Sequence, residues 1–206
     1  MPSKKKNNFL RKLIFNLLII TDWAFCFVAW NLVLAWIPLL LAYWLNFYLV
    51  KKNVYYQAAI FLLWLFFLPN APYLITDFIH LTVWYQVPIW YDIILFTSFA
   101  WNGLTLGFVS LFLSQEFLKK ITTAKKSAIL INLCIFLSCF GIYFGRYMRR
   151  NSWDILIHPI LIAGDLANTL LTPSNFINMA GMTLTWFLFL FGGYKLFLLL
   201  LENKKS

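Results

Sequence analysis

Two aspartate–histidine pairs and a trio of arginines are the groups in this 206-residue chain whose types and spacing could do chemistry. Asp77 and His80 stand three residues apart in "LPNAPYLITDFIHL", and Asp154 and His158 four apart in "NSWDILIHPILIAGDLANTLLTP". On a helix either spacing puts both side chains on one face. There a carboxylate can orient an imidazole that takes a proton from a hydroxyl or water. Arg146, Arg149 and Arg150 in "GRYMRRNSWD" occupy i, i+3 and i+4. They share a face and repel one another unless something negative sits opposite. Guanidinium forks match phosphate and carboxylate bidentately. The candidate set is therefore Asp77, His80 and Asp154 for proton transfer, with Arg146, Arg149, Asp92, Asn70 and His158 for holding a substrate.

A plain structural account competes with this one. Salt bridges from the arginines to Asp154, Asp92 or Asp77 would hold the polar segments down, because charges in membrane proteins persist when paired. Asp154 is also explained as the N3 carboxylate of a helix capped by Asn151. Two histidines with two or three aspartates have the ligand types for a metal, but no H-E-x-x-H or comparable spacing, and no metal is assigned. No serine sits in a nucleophile elbow and no phosphate loop is present. Whether a cofactor is used, and which, does not follow from the sequence.

The elements that must position these groups are membrane helices. The chain is 62% hydrophobic and 20% aromatic, with only 12% charged residues, whereas soluble domains average about 25% charged. A net charge of +10 would fit nucleic acid in a soluble protein. Here the lysines form short clusters between apolar runs, so they read as topology signals and anionic-lipid contacts, with no nucleic-acid partner. Cys26, Cys134 and Cys139 all fall in apolar runs without metal or disulfide spacing and read as small core residues. The N-terminus has the basic and apolar parts of a signal peptide but no small-residue cleavage site, which makes it a retained first helix.

A span needs about 20 mostly apolar residues. The expected fold is an all-α integral membrane protein, one domain over 1–206, with about six transmembrane helices at about 13–29, 31–50, 54–68, 88–114, 127–146 and 173–201. The first two are hinged near Trp30-Asn31. The third stops at Pro69, the fourth opens on Pro88, and the last is capped by Thr172 with Pro173 just inside. Two spans between Leu13 and Val50 keep Lys4 to Lys6, Lys51-Lys52, Lys119-Lys120, Lys125-Lys126 and Lys204-Lys205 on one side, which the positive-inside rule makes cytoplasmic together with both termini.

The two polar segments then share the outer face. The stretch after Pro69 is too proline-broken for a span and too aromatic for water, so it reads as interfacial or re-entrant, with Trp84, Tyr85, Trp90 and Tyr91 at headgroup level. After Arg150, the residues Asp154, His158, Asp165, Asn168 and Thr172 fall on one side of a helical wheel, with a kink or two short helices at Pro159. Both histidines, three of the four arginines and five of the seven acidic residues gather at or near this face, counting the deeper Asp22. Asp22 lies mid-span, where a carboxylate costs a few kcal/mol or more, and Thr21, Asn16 and Asn102 are candidate partners. Gly103-x-x-x-Gly107 and Gly141-x-x-x-Gly145 read as close-packing sites.

"LPNAPYLITDFIHL", the "WYD" at Trp90 to Asp92 and "GRYMRRNSWD" resemble the signature blocks of a bacterial multi-pass membrane family catalogued as domain of unknown function 1361. The resemblance is strongest from the third helix to the fifth. Arg146 and Arg149 match family positions, whereas Arg150 stands where an aromatic is more usual. The resemblance implies a multi-pass fold and carries no activity, cofactor or catalytic residue.

Three functions remain. The first is binding or processing of an anionic lipid headgroup or lipid-linked phosphate at the outer Arg/Asp/His site, with membrane lipids as partners. The second is a non-catalytic assembly or interaction protein. The third, a small proton-coupled transporter, is disfavoured by the few polar residues in the inner halves of the helices and by the lack of an internal repeat. Neither oligomeric state nor the presence of chemistry follows from the sequence.

Overall fold

The computed structural model describes residues 29–48, 53–80, 89–148 and 157–203. They form α1 (Ala29–Tyr48), α2 (Val54–Phe67), α3 (Asn70–Tyr73), a 3-10 segment (Leu74–His80), α4 (Ile89–Ile121), α5 (Ala124–Tyr147), α6 (Pro159–Leu171) and α7 (Pro173–Glu202). Among the described residues five units are long and apolar enough to cross a membrane: α1, the run Val54–Ile79, α4, α5 and α7. With 13 residues, α6 is about 20 Å long, short of the ~30 Å hydrocarbon core. The chain is an all-α membrane protein. The expected first span, 13–29, lies almost wholly outside the described residues.

Apolar side chains cover the outside as well as the inside. Trp101 is 71% exposed, Ile177 68% and Leu188 61%, a surface suited to lipid tails and far too apolar for water. Helix pairing in such a solvent relies on close packing and interhelical hydrogen bonds. The main core joins Trp64 and Leu68 of α2, Leu111 and Phe117 of α4, Ile135 and Cys139 of α5, and Leu190 and Tyr194 of α7. Cys134 and Cys139 are buried free thiols within it.

The helix starts follow the sequence closely. Asn53 caps α2, its Oδ1 accepting the Tyr55 amide at 3.0 Å, and Thr123 caps α5. Thr172 is the cap residue of α7, with Pro173 in the first turn, but makes no side-chain capping bond; its hydroxyl lies 3.2 Å from Asn168 Oδ1. Pro159 stands in the first turn of α6, where a ring without an N–H fits; residues 151–156 before it lie outside the described residues. Trp30 and Asn31, where a hinge between the first two spans was expected, are helical within Ala29–Tyr48, and the residues before Ala29 lie outside the described residues. Past Ser114, α4 runs on to Ile121.

The segment after Pro69, expected to be interfacial or re-entrant, enters the bundle. Regular α-helix ends at Phe67, as proline requires. Yet the chain turns helical again at once and tightens into a 3-10 run, so residues 70–79 continue the third span into the bundle rather than resting on its surface. Ala71 and Asp77 are 0% exposed and Leu74 is 1% exposed. Glycines make the room. A Cβ at Gly103 would run into the Ala71 carbonyl oxygen, and one at Gly141 would sit 2.7 Å from Pro69 Cγ. Gly107 lies against Ala71 and Pro72. These glycines serve close packing, here of a broken helix instead of a straight neighbour.

Candidate functional site

Three spans bring a charge cluster together at one end of the bundle. Asp77 enters from the 3-10 segment, Arg146 from the last turn of α5, and Asn31 from the first turns of α1. Arg146 Nη1 lies 3.8 Å from Asp77 Oδ1, with side chains 13% and 1% exposed. Asn31 Nδ2 donates to Asp77 Oδ2 at 3.2 Å. The Arg146 guanidinium also lies over the Tyr73 ring, 5.9 Å from its centroid. A buried carboxylate in this setting needs the cation and the amide, since desolvating an unmatched charge costs several kcal/mol. The cluster therefore ties α1, the broken helix and α5 into one unit.

The other candidates fall around this core or beyond what is described. Asn70 donates from Nδ2 to the Phe67 carbonyl at 2.9 Å, stitching the helix across its proline break. Asp92 is half-buried in the first turn of α4 and makes no hydrogen bond or ion pair among the described residues. His158 is exposed at the N-cap of α6, where its side chain makes no cap bond. The His80 backbone closes the 3-10 segment; its side chain, with Arg149, Arg150 and Asp154, lies outside the described residues. The structure thus joins Asp77 to Arg146, and among the described residues neither Asp92 nor His158 makes a hydrogen bond or ion pair to them. No group of three or more metal-ligating side chains occurs among the described residues.

Sequence reasoning missed Asn31 and the polar groups of the opposite half. Trp64 Nε1 donates to Ser110 Oγ at 2.7 Å, Tyr194 OH to Gln115 Oε1 at 2.6 Å, and Ser127 Oγ to the Gln115 carbonyl at 3.1 Å. Lys120 Nζ donates to Asn46 Oδ1 at 2.7 Å and to its carbonyl at 2.9 Å. Lys120 lies 24 residues past Phe96, whose ring meets Phe78 beside Asp77; at ~1.5 Å per residue the two clusters stand about 36 Å apart along α4. Small polar residues on a helical stripe, such as Ser110 and Ser114 following Gly103 and Gly107, were the available signal.

A cavity of about 20 Å³ lies between the broken helix, α4, α5 and α7, lined by Pro72, Gly107, Phe108, Leu111, Ile135 and Ser138 among others. It is apolar apart from Ser138, has the size of a single water, and does not include Asp77 or Arg146.

No curated protein and no solved structure matches this chain. Residues 30–191 match a family described as "Protein of unknown function (DUF1361)". That match spans both blocks that build the ion pair, and with most of its length covered the chain belongs to this family.

Proposed function

We propose that the protein binds an anionic lipid headgroup or lipid-linked phosphate at the outer face of the cell membrane, with both termini cytoplasmic. The observation that carries this reading is an arginine held by a buried aspartate at one end of the bundle, immediately before Arg149 and Arg150 in the sequence. A guanidinium presents five donors in a fixed fork. A carboxylate behind it fixes its direction, so the cluster of positive charge meets phosphate with little reorganisation. In this reading Asp77 positions Arg146, and proton transfer, if the bound group is processed, belongs to His80 with Asp154. The short α6 lies at the headgroup level, its Ile160 and Leu171 facing lipid at 88% and 81% exposure.

The test is binding of the purified protein in nanodiscs that contain an anionic phospholipid or a polyprenyl phosphate, against neutral nanodiscs. Arg149→Ala should weaken binding at least ten-fold while leaving the thermal transition in place, and Arg146→Lys should weaken it less. Unchanged binding in Arg149→Ala would refute the reading.

A second reading has its own support. The Asp77 side chain is 1% exposed, as expected if the pair only locks helices in a non-catalytic assembly protein. On that reading Asp77→Asn lowers stability, and headgroup composition has no effect on any variant.

A further inference from the structure

The lipid-facing side of α5 changes character along its length. Its first half carries Ile129, Leu130 and Leu133 there, all exposed. Towards Arg146 the same side turns aromatic. Phe136, Phe140, Tyr143, Phe144 and Tyr147 stand at i, i+4, i+7, i+8 and i+11 and share an arc of about 100° round the helix. Phe140 lies 4.9 Å from Phe144, Phe144 6.0 Å from Tyr143, and Tyr143 is stacked on Tyr147 at 5.1 Å. At the deep end Phe187 of α7 meets Phe136 edge-on, with 5.8 Å between centroids. Phe136 is 43% exposed and Tyr147 64%. An interfacial belt accounts for the two tyrosines, since Trp and Tyr collect at headgroup level. It does not account for Phe136. Ten residues before Arg146, that ring lies about 15 Å deeper, which for an arginine at headgroup level is the middle of a ~30 Å hydrocarbon core.

We propose that the group held at the Arg146 end is a polyprenyl phosphate, its unsaturated tail lying along this row of rings. The inference rests on the anionic-headgroup reading above and names the tail. Charge complementarity sets one end. The row finishes at Tyr147, next to Arg146 and two residues before Arg149, so a phosphate at the arginines leaves its tail to run down α5. The rings then distinguish tails. A saturated acyl chain gains as much against leucine as against phenylalanine, because lipid tails and Leu are equally apolar. A polyprenyl chain carries a double bond and a methyl branch in every unit, and these meet ring edges and faces of opposite polarity. Rings one turn apart on a helix repeat about every 6 Å, so a single extended tail passes several in turn. Bulk phospholipid touches both halves of α5 and gives no reason for rings in only one.

The test compares two lipids that share a phosphate monoester, a polyprenyl phosphate and dipalmitoyl phosphatidic acid. Each is incorporated at graded amounts in otherwise neutral nanodiscs holding the whole chain, and retained lipid is read by native mass spectrometry. The unaltered protein should retain the polyprenyl phosphate about ten-fold better. Phe136→Leu combined with Phe140→Leu should abolish that preference and leave binding of the phosphatidic acid as it was. Phe189→Leu, about 160° round α7 from Phe187, should change neither. Equal retention of the two lipids by the unaltered protein, or a preference for phosphatidic acid, overturns the tail proposal and leaves the anionic-headgroup reading standing. Retention of neither overturns both. A preference that survives the double change, a parallel loss of both lipids in it, or an equal fall in Phe189→Leu also overturns the proposal. If the double variant fails to accumulate, Phe140→Leu alone is scored in the same way.

Discussion

At one end of the bundle Arg146 and Asp77 face each other with 13% and 1% of their side chains exposed; at the other, Lys119 and Glu116 pair at 2.7 Å with 42% and 35% exposed. The closer contact is the weaker one. Exposed pairs gain little because water already solvates both charges. The longer contact is enclosed, so each charge depends on its partner and on Asn31 to offset lost hydration. Lys120 takes an intermediate course, its ammonium lying 5.9 Å from the centroid of the Phe47 ring and donating to the carbonyl and side chain of Asn46 in α1. The difference teaches that burial, not distance, sets what each charge is worth here. One end is locked by charge; the other is dressed with it.

The sharpest way to break this comparison is to remove one buried partner. Asp77→Ala should destabilise the protein by about 3–5 kcal/mol, read as loss of monodisperse protein in detergent or a collapse of the thermal midpoint. Asp77→Arg combined with Arg146→Asp should recover part of that. A loss under ~1 kcal/mol would mean that water reaches the pair and that the ends are alike.

Next in size is Gly103→Val, which drives a side chain into the Ala71 carbonyl and Leu74. A cost of about 1–3 kcal/mol is expected. Gly181→Val, with nothing within 4 Å of its Cβ position, should cost well under half as much. Equal effects would show that the broken helix yields easily.

At the opposite end, Tyr194→Phe strands Gln115 Oε1 in the core and should cost about 1–2 kcal/mol. Least of all, Lys119→Ala should change stability by no more than ~0.5 kcal/mol, with the effect vanishing at high salt. Salt should leave the Asp77→Ala loss intact, and a shared salt dependence would erase the contrast.

Much of the scaffold was legible because its causes are local. Apolar runs of span length and Pro173 at the start of α7 each act within a turn or two, and helix starts follow from them; the Thr123 cap that starts α5 three residues before the expected 127 was passed over. Thr172 shows the limit: the residue stands at the cap, but its hydroxyl goes to Asn168. The stretch after Pro69 was legible only in part, for a related reason. Prolines and polar residues signal a broken helix, but nothing within the stretch reports that Gly103 and Gly141, far along the chain, leave a slot for it.

What the sequence determined by itself is an all-α membrane protein with basic loops, an arginine-rich end and glycines spaced for close contact. Those properties are periodicity, composition and cap chemistry, all set by neighbours along the chain. Only the tertiary structure decided that Asp77 takes Arg146 and Asn31 and that Gln115 takes Tyr194. These partners lie 46 to 79 residues apart. A carboxylate can be drawn to any cation of suitable reach, and helix packing alone limits it to the one it meets.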